Sequence, residues 1–221
     1  MSALTHFLNQ FHASASEPRR RVIDAATRMF HWLFAFSFVG AYITADGERW
    51  RHVHTTLGYT MMGLLAARVV WGLFGPKRSR LGSLVQRVTT VLPSLQTLCR
   101  THAFCSLNWN QVQNALMAVL ILALLGLTLP LVLSGYLTDI DFAGDIMANI
   151  HGLFGDVYLM TVLAHIGLIL ILSLLRRRNL ITPMVTGFTP GQGPNLVKHN
   201  HAIWASTLLA GAVSWWVWSF F

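Results

Sequence analysis

Four histidines, His31, His54, His151 and His165, stand within or at the edge of long apolar stretches of this 221-residue chain. Imidazole can ligate a metal, relay a proton or serve as a hydrogen-bonded structural group. Within lipid the question sharpens, because an unpaired polar group there costs several kcal/mol and an ionisable side chain is a functional candidate by default. Spacing sorts the four. His151 and His165 are 14 residues apart, which on an α-helix puts them on nearly one face and about 21 Å apart along the axis. They therefore suit two separate sites. Gly58, Gly155 and Ala35 follow His54, His151 and His31 by four residues, leaving small residues on the histidine side of each helix. Ile169 breaks the pattern after His165. Two cations keep company with these rings: Arg28, one turn before His31, and Arg68, 14 residues after His54 on the same helix face.

The elements that must carry these residues are transmembrane helices. Hydrophobic residues make up 54% of the chain and charged residues only 11%, against about 25% in a soluble domain. Apolar runs of spanning length occur at residues 29–45, 53–74, 115–137, 151–175 and 203–221. Nothing remains for a soluble domain. The net charge of +8 does not indicate nucleic acid, because the basic residues fill the gaps between spans and form no stripe interleaved with aromatics. Thirteen of the 16 lie in the N-terminal tail, the loop at 75–114 and the loop at 176–202, whereas the other two loops hold Arg49 and Arg51 with Asp46, Glu48, Asp139, Asp141 and Asp145. By the positive-inside rule the N-terminus is cytoplasmic and the C-terminus periplasmic. The tail lacks a small-residue cleavage site after its apolar run and is expected to remain. Pro130 is expected to kink the third span, and Trp215, Trp216 and Trp218 to form an interfacial belt.

Orientation then pairs the histidines by depth. The first span begins inside with His31, and the second begins outside with His54. The fourth enters from outside, so His151 is outer and His165 inner. His54 is thereby level with His151, and His31 with His165. Two transverse histidine pairs stacked in a helical bundle are what two six-coordinate haems require, since imidazole must approach the iron from both faces of a flat macrocycle. Without Cys-x-x-Cys-His there is no covalent haem attachment. Arg68 is level with the inner site and could pair with haem propionates, as could Arg28 from the surface. His52 rivals His54 but sits at the start of its helix. His6, His12, His102, His199 and His201 lie in tails and loops. Cys99, His102 and Cys105 offer three loop ligands without a clear fourth for zinc. A haem-free proton relay would not call for paired depths.

These residues resemble the bacterial cytochrome b561 family of di-haem cytochromes b, which includes the b-type cytochrome subunits of nickel-iron hydrogenases. The resemblance covers about residues 20–188. It rests on Val22-Ile23-Asp24, Thr27-Arg28-Met29-Phe30-His31-Trp32, His54-x-x-x-Gly58-Tyr59, Arg68-Val69-Val70-Trp71-Gly72, Ser134-Gly135-Tyr136, His151 with His165, Asn179-Leu180, and Met184-Val185-Thr186-Gly187. It implies an all-α integral membrane protein, with a cytoplasmic tail at 1–20, a four-helix di-haem domain at 21–188, and a linker with a peripheral fifth helix at 189–221. It further implies two haems b on His31, His54, His151 and His165, and electron exchange with ubiquinone or menaquinone in a bacterial inner membrane. The approach to the third helix, Val112-Gln113-Asn114-Ala115-Leu116, departs from the His-Asn-Pro-x-Gly-like stretch of hydrogenase-type members and leaves other partners open. The function expected is electron transfer between a periplasmic redox protein, a c-type cytochrome or a dehydrogenase, and the quinone pool. The alternative is a stand-alone superoxide:ubiquinone oxidoreductase.

Overall fold

The computed structural model describes residues 18–76, 79–91, 93 and 108–221. The N-terminal tail with His6 and His12, the loop residues Lys77, Arg78 and Arg100, and the zinc candidates Cys99, His102 and Cys105 lie outside the described residues. The chain opens with a three-residue strand, β1 (Arg19–Arg21). Asp24 then caps helix α1 (Ala25–Ile43), its Oδ1 accepting the Thr27 N–H at 2.6 Å, which satisfies one of the donors a helix start leaves free. A 3-10 turn (Glu48–Trp50) leads into α2 (Arg51–Phe74), which stops at the extended Gly75 before Pro76. A short helix, α3 (Leu81–Thr89), follows. Two long helices come next, α4 (Trp109–Asp139) and α5 (Asp145–Leu175), then α6 (Thr182–Thr186), a second strand β2 (Phe188–Pro190) and α7 (Ala202–Phe220).

Helices α4 and α5 are 31 residues each, roughly 45 Å at 1.5 Å per residue. Both exceed the apolar runs within them. The early turns of α4 carry Asn110, Gln111, Gln113 and Asn114, and that of α5 carries Asp145 and Asn149. The expected loop at 138–150 thus shrinks to residues 140–144, where Asp141, Ala143 and Gly144 take positive φ to turn the chain tightly. Pro130 sits inside α4 without ending it.

The helices share one core of Leu33, Phe34, Phe38, Met61, Leu64, Leu131, Val132, Tyr158 and Ala212, drawn from α1, α2, α4, α5 and α7. Helix α1 packs against α2 and α7, α2 against α4, and α4 against α5. Large apolar side chains such as Val70, Leu133, Leu163, Leu174 and Trp218 face outward, as lipid contact demands. Four helices have the length and composition to cross a membrane: Glu48–Phe74, Trp109–Asp139, Asp145–Leu175 and Ala202–Phe220. At 19 residues α1 is long enough, but Arg28 and His31 in its first turns dilute its apolarity.

The N-terminal strand was not anticipated. β1 pairs antiparallel with β2, Arg20 opposite Thr189. Gly187 joins α6 to β2 at φ 86°, and an added Cβ there would lie 3.0 Å from the Ile23 carbonyl oxygen. Only glycine suits that backbone region and that proximity together. Its carbonyl accepts the N–H groups of Val22 and Ile23, and the Asn200 carbonyl accepts that of Ala25. The start of α1 is thus clamped by the segment that follows α5.

Candidate functional site

A cavity of about 400 Å3 opens between α1, α2, α4 and α5 at the end carrying His54 and His151. The two rings face each other across it, with centroids 5.9 Å apart and planes at 88°. Each is held from behind by a main-chain carbonyl. His54 Nδ1 donates to Ala41 O on α1 at 2.8 Å, and His151 Nδ1 donates to Leu131 O on α4 at 3.0 Å. A carbonyl can only accept, so in these contacts the proton sits on Nδ1 and Nε2 carries the free lone pair. This is the tautomer that a metal-ligating histidine needs, and the backing carbonyl is the partner that orients such a ligand. Two imidazoles sharing one ion, each bound at about 2 Å, would have ring centres roughly 6 Å apart. The residues present fit a group that two imidazoles would hold.

Glycines shape the cavity. An added Cβ at Gly135 would lie 2.9 Å from His151 Cε1, so the ring occupies space that a side chain on α4 would take. At Gly58, Gly152 and Gly155 an added Cβ meets nothing within 4 Å, and all three line the cavity. The small residues expected after His54 and His151 therefore border open space suited to a flat ligand.

His31 and His165 occupy the opposite half of the bundle and lie within electrostatic range of one another. Their Nδ1 atoms are buried with no hydrogen-bond partner among the described residues. Unlike the outer pair, neither of these rings has a carbonyl behind its Nδ1. His31 also meets the edge of Trp32, centroids 5.2 Å apart.

Arg68, 8% exposed, has the partner that sequence did not supply. Its Nη1 donates to Ser79 O at 3.0 Å, and Ser79 Oγ donates to Asp24 Oδ2 at 2.6 Å. The guanidinium carbon lies 5.8 Å from the Phe30 ring centre. Arg28 donates from Nη1 to Val185 O at 2.7 Å, while its Nε is buried and unpartnered. Both cations stand at the His31 end with donors to spare.

His52 points away from the cavity, donating from Nε2 to Ser219 O at 2.7 Å and meeting the edge of Phe220. Trp215 and Trp216, expected in an interfacial belt, tie α7 to α2: Trp215 Nε1 donates to Thr56 O and Trp216 Nε1 to Thr60 Oγ1. Trp218 alone of the three is largely exposed, at 74%. Among the described residues no group of three or more His, Cys, Asp or Glu could hold a bare metal ion. Sequence reading passed over Asp156, which lines the cavity from within α5. The signal was present, since a carboxylate inside a span meets the same criterion that singled out the histidines. The bond from the Tyr59 hydroxyl to Asp139 Oδ2, 2.7 Å, was also not foreseen.

A multi-pass helical membrane protein with histidines facing each other across a glycine-lined cavity belongs, by chemistry, among the membrane cytochromes. The family model for prokaryotic cytochrome b561 matches residues 22–187, and the chain belongs to that family. Comparison with curated proteins and with solved structures gives no match. Family membership makes this a b-type cytochrome of membrane electron transfer. The match ends at Gly187, the residue that closes the clamp on the start of α1.

Proposed function

We propose that this chain is a di-haem electron-transfer subunit, with one haem b held by His54 and His151 and a second by His31 and His165. The observation that carries the reading is the facing pair His54 and His151, 5.9 Å apart, each with Nδ1 committed to a carbonyl. Bound haem supplies one-electron redox chemistry. The chain's own residues do the rest. Ala41 O and Leu131 O fix the ring orientations, Gly58 and Gly155 leave room, and Arg28 and Arg68 offer charge-assisted donors to carboxylates at the His31 end. With α1 counted as a fifth span, the arginine-rich end is cytoplasmic and the His54 end periplasmic in a bacterial inner membrane. A periplasmic redox protein, a c-type cytochrome or a dehydrogenase, then exchanges electrons at the outer site, and ubiquinone or menaquinone at the inner one.

The lining of the outer cavity disfavours the stand-alone superoxide oxidoreductase. Asp46, Asp139 and Asp156 line it and no Lys or Arg does, so its field opposes an anionic reductant. The test is the pyridine haemochrome spectrum and haem-to-protein ratio of the purified chain beside His54→Ala and His165→Ala. Two protohaems per chain, falling to about one in each variant, is the expected result. A colourless protein, or a variant that loses nothing, overturns the assignment.

A further inference from the structure

Among the described residues a single carboxylate, Asp24, stands at the arginine-rich end, and its charge acts on Arg68. Among the described residues no Lys or Arg forms an ion pair with a carboxylate. The carboxylate nearest the clamp, Asp24, is 1% exposed and already accepts from Thr27 N and Ser79 Oγ. The remaining described carboxylates sit in α5 or at the His54 end.

The arginine side chains of β1 differ in their surroundings. Arg21 lies over the Phe188 ring at 5.2 Å. Arg20 stands opposite Thr189, its Nε buried without an acceptor, and its Nη1 is 3.7 Å from where a Cβ would lie at Gly193. The Gly191–Gly193 turn thus runs beside a guanidinium whose stem is enclosed. Its terminal N–H groups make no hydrogen bond among the described residues. A planar fork of unused donors matches a phosphate. Depth selects the kind. β1 leads directly into α1, and its partner strand follows the end of α5, so the pair lies where helices leave the hydrocarbon, at the level of lipid headgroups.

We propose that the β1–β2 clamp binds the phosphate of an anionic phospholipid, with Arg20 as the principal contact and Arg19 and Arg21 adding charge. The proposal needs the spans but not the haems. A cation at a charged membrane surface contributes about 1 kcal/mol, so removing one changes affinity about fivefold.

The full-length holoprotein would be placed in nanodiscs of equal parts phosphatidylglycerol and phosphatidylcholine, and the lipid it retains counted by native mass spectrometry. Wild type should keep phosphatidylglycerol preferentially. Arg20→Gln should reduce that preference about fivefold with haem content unchanged, and Arg20→Lys should do so partially. Arg87→Gln removes the same charge from α3 and should have no effect. No lipid preference in wild type overturns the proposal, as does equal loss in Arg20→Gln and Arg87→Gln, which marks a diffuse field. Displacement of the lipid by millimolar inorganic phosphate or by an acidic peptide also overturns it, in favour of a soluble anion. Should Arg20→Gln not accumulate, the comparison of Arg20→Lys with Arg87→Gln decides by the same criterion.

Discussion

The hydroxyl of Tyr59 on α2 donates to Asp139 Oδ2 at the last residue of α4, 2.7 Å away, and both residues line the mouth of the cavity that His54 and His151 face across. The bond ties together the helices that bring one histidine and the carbonyl backing the other. A hydrogen bond to a charged group contributes about 1.5–3 kcal/mol, less where water reaches it. Tyr59→Phe and Asp139→Ala should each lower thermal stability in detergent by about 1 kcal/mol, and the double variant by no more than either. Additive losses in that cycle would show that the two side chains act independently.

If His54 and His151 hold a haem as proposed, Gly135→Ala should evict it. The new methyl would meet His151 Cε1 at 2.9 Å, and the ring cannot retreat without losing its bond to Leu131 O. The haem-to-protein ratio should fall from about two to about one. Gly126→Ala, on the same helix with open space around its Cβ, is the matched control and should keep both. Equal haem content in the two variants would sink the argument.

Asp139, Asp141 and Asp145 crowd the tight α4–α5 connection at the His54 end. If a basic c-type cytochrome docks there, changing all three to Asn should slow its reaction several-fold at low ionic strength through lost steering. The difference should vanish near 0.5 M salt, where screening shortens to a few ångströms. An unchanged rate in stopped-flow mixing at low salt removes the docking surface from the proposal.

Gly187→Ala should loosen the clamp on α1. It places a Cβ at φ 86° and 3.0 Å from the Ile23 carbonyl, a strain of about 1–3 kcal/mol. Trypsin should then cleave the arginines of β1 faster than in wild type, while far-ultraviolet circular dichroism barely changes. Protection equal to wild type would mean that the pairing of β1 with β2 tolerates the added methyl.

Much of this architecture was legible because lipid penalises polar groups heavily. His54 and His151 were matched by depth alone, and the structure brings their rings face to face. Helix ends were less legible: an apolar run marks what lies in hydrocarbon, whereas the hydrogen-bonded helix continues through Asn110 and Gln113 on α4 or Asp145 on α5. What backs the two rings was invisible, since the carbonyls of Ala41 and Leu131 have no side-chain signature. The β1–β2 pair was equally hidden, because Arg-Arg-Arg and Phe-Thr-Pro lack the alternation that identifies a strand. The bond from Arg68 to Ser79 was not legible because Ser79 reaches it from a loop whose path sequence does not specify. Asp156 was readable by the rule applied to the histidines and was overlooked.

The strand before α1 is fastened to residues made near the end of synthesis: the Arg21 N–H meets Asn195 Oδ1 across 174 positions. During translation, then, α1 has its polar start unsecured while about four fifths of the polypeptide is made. Contacts of such range form late, and domains and segments made first remain exposed until their partners arrive. Closure of the clamp therefore reports completed synthesis, and a chain truncated before Phe188 should insert its helices yet leave the arginine strand open to proteolysis.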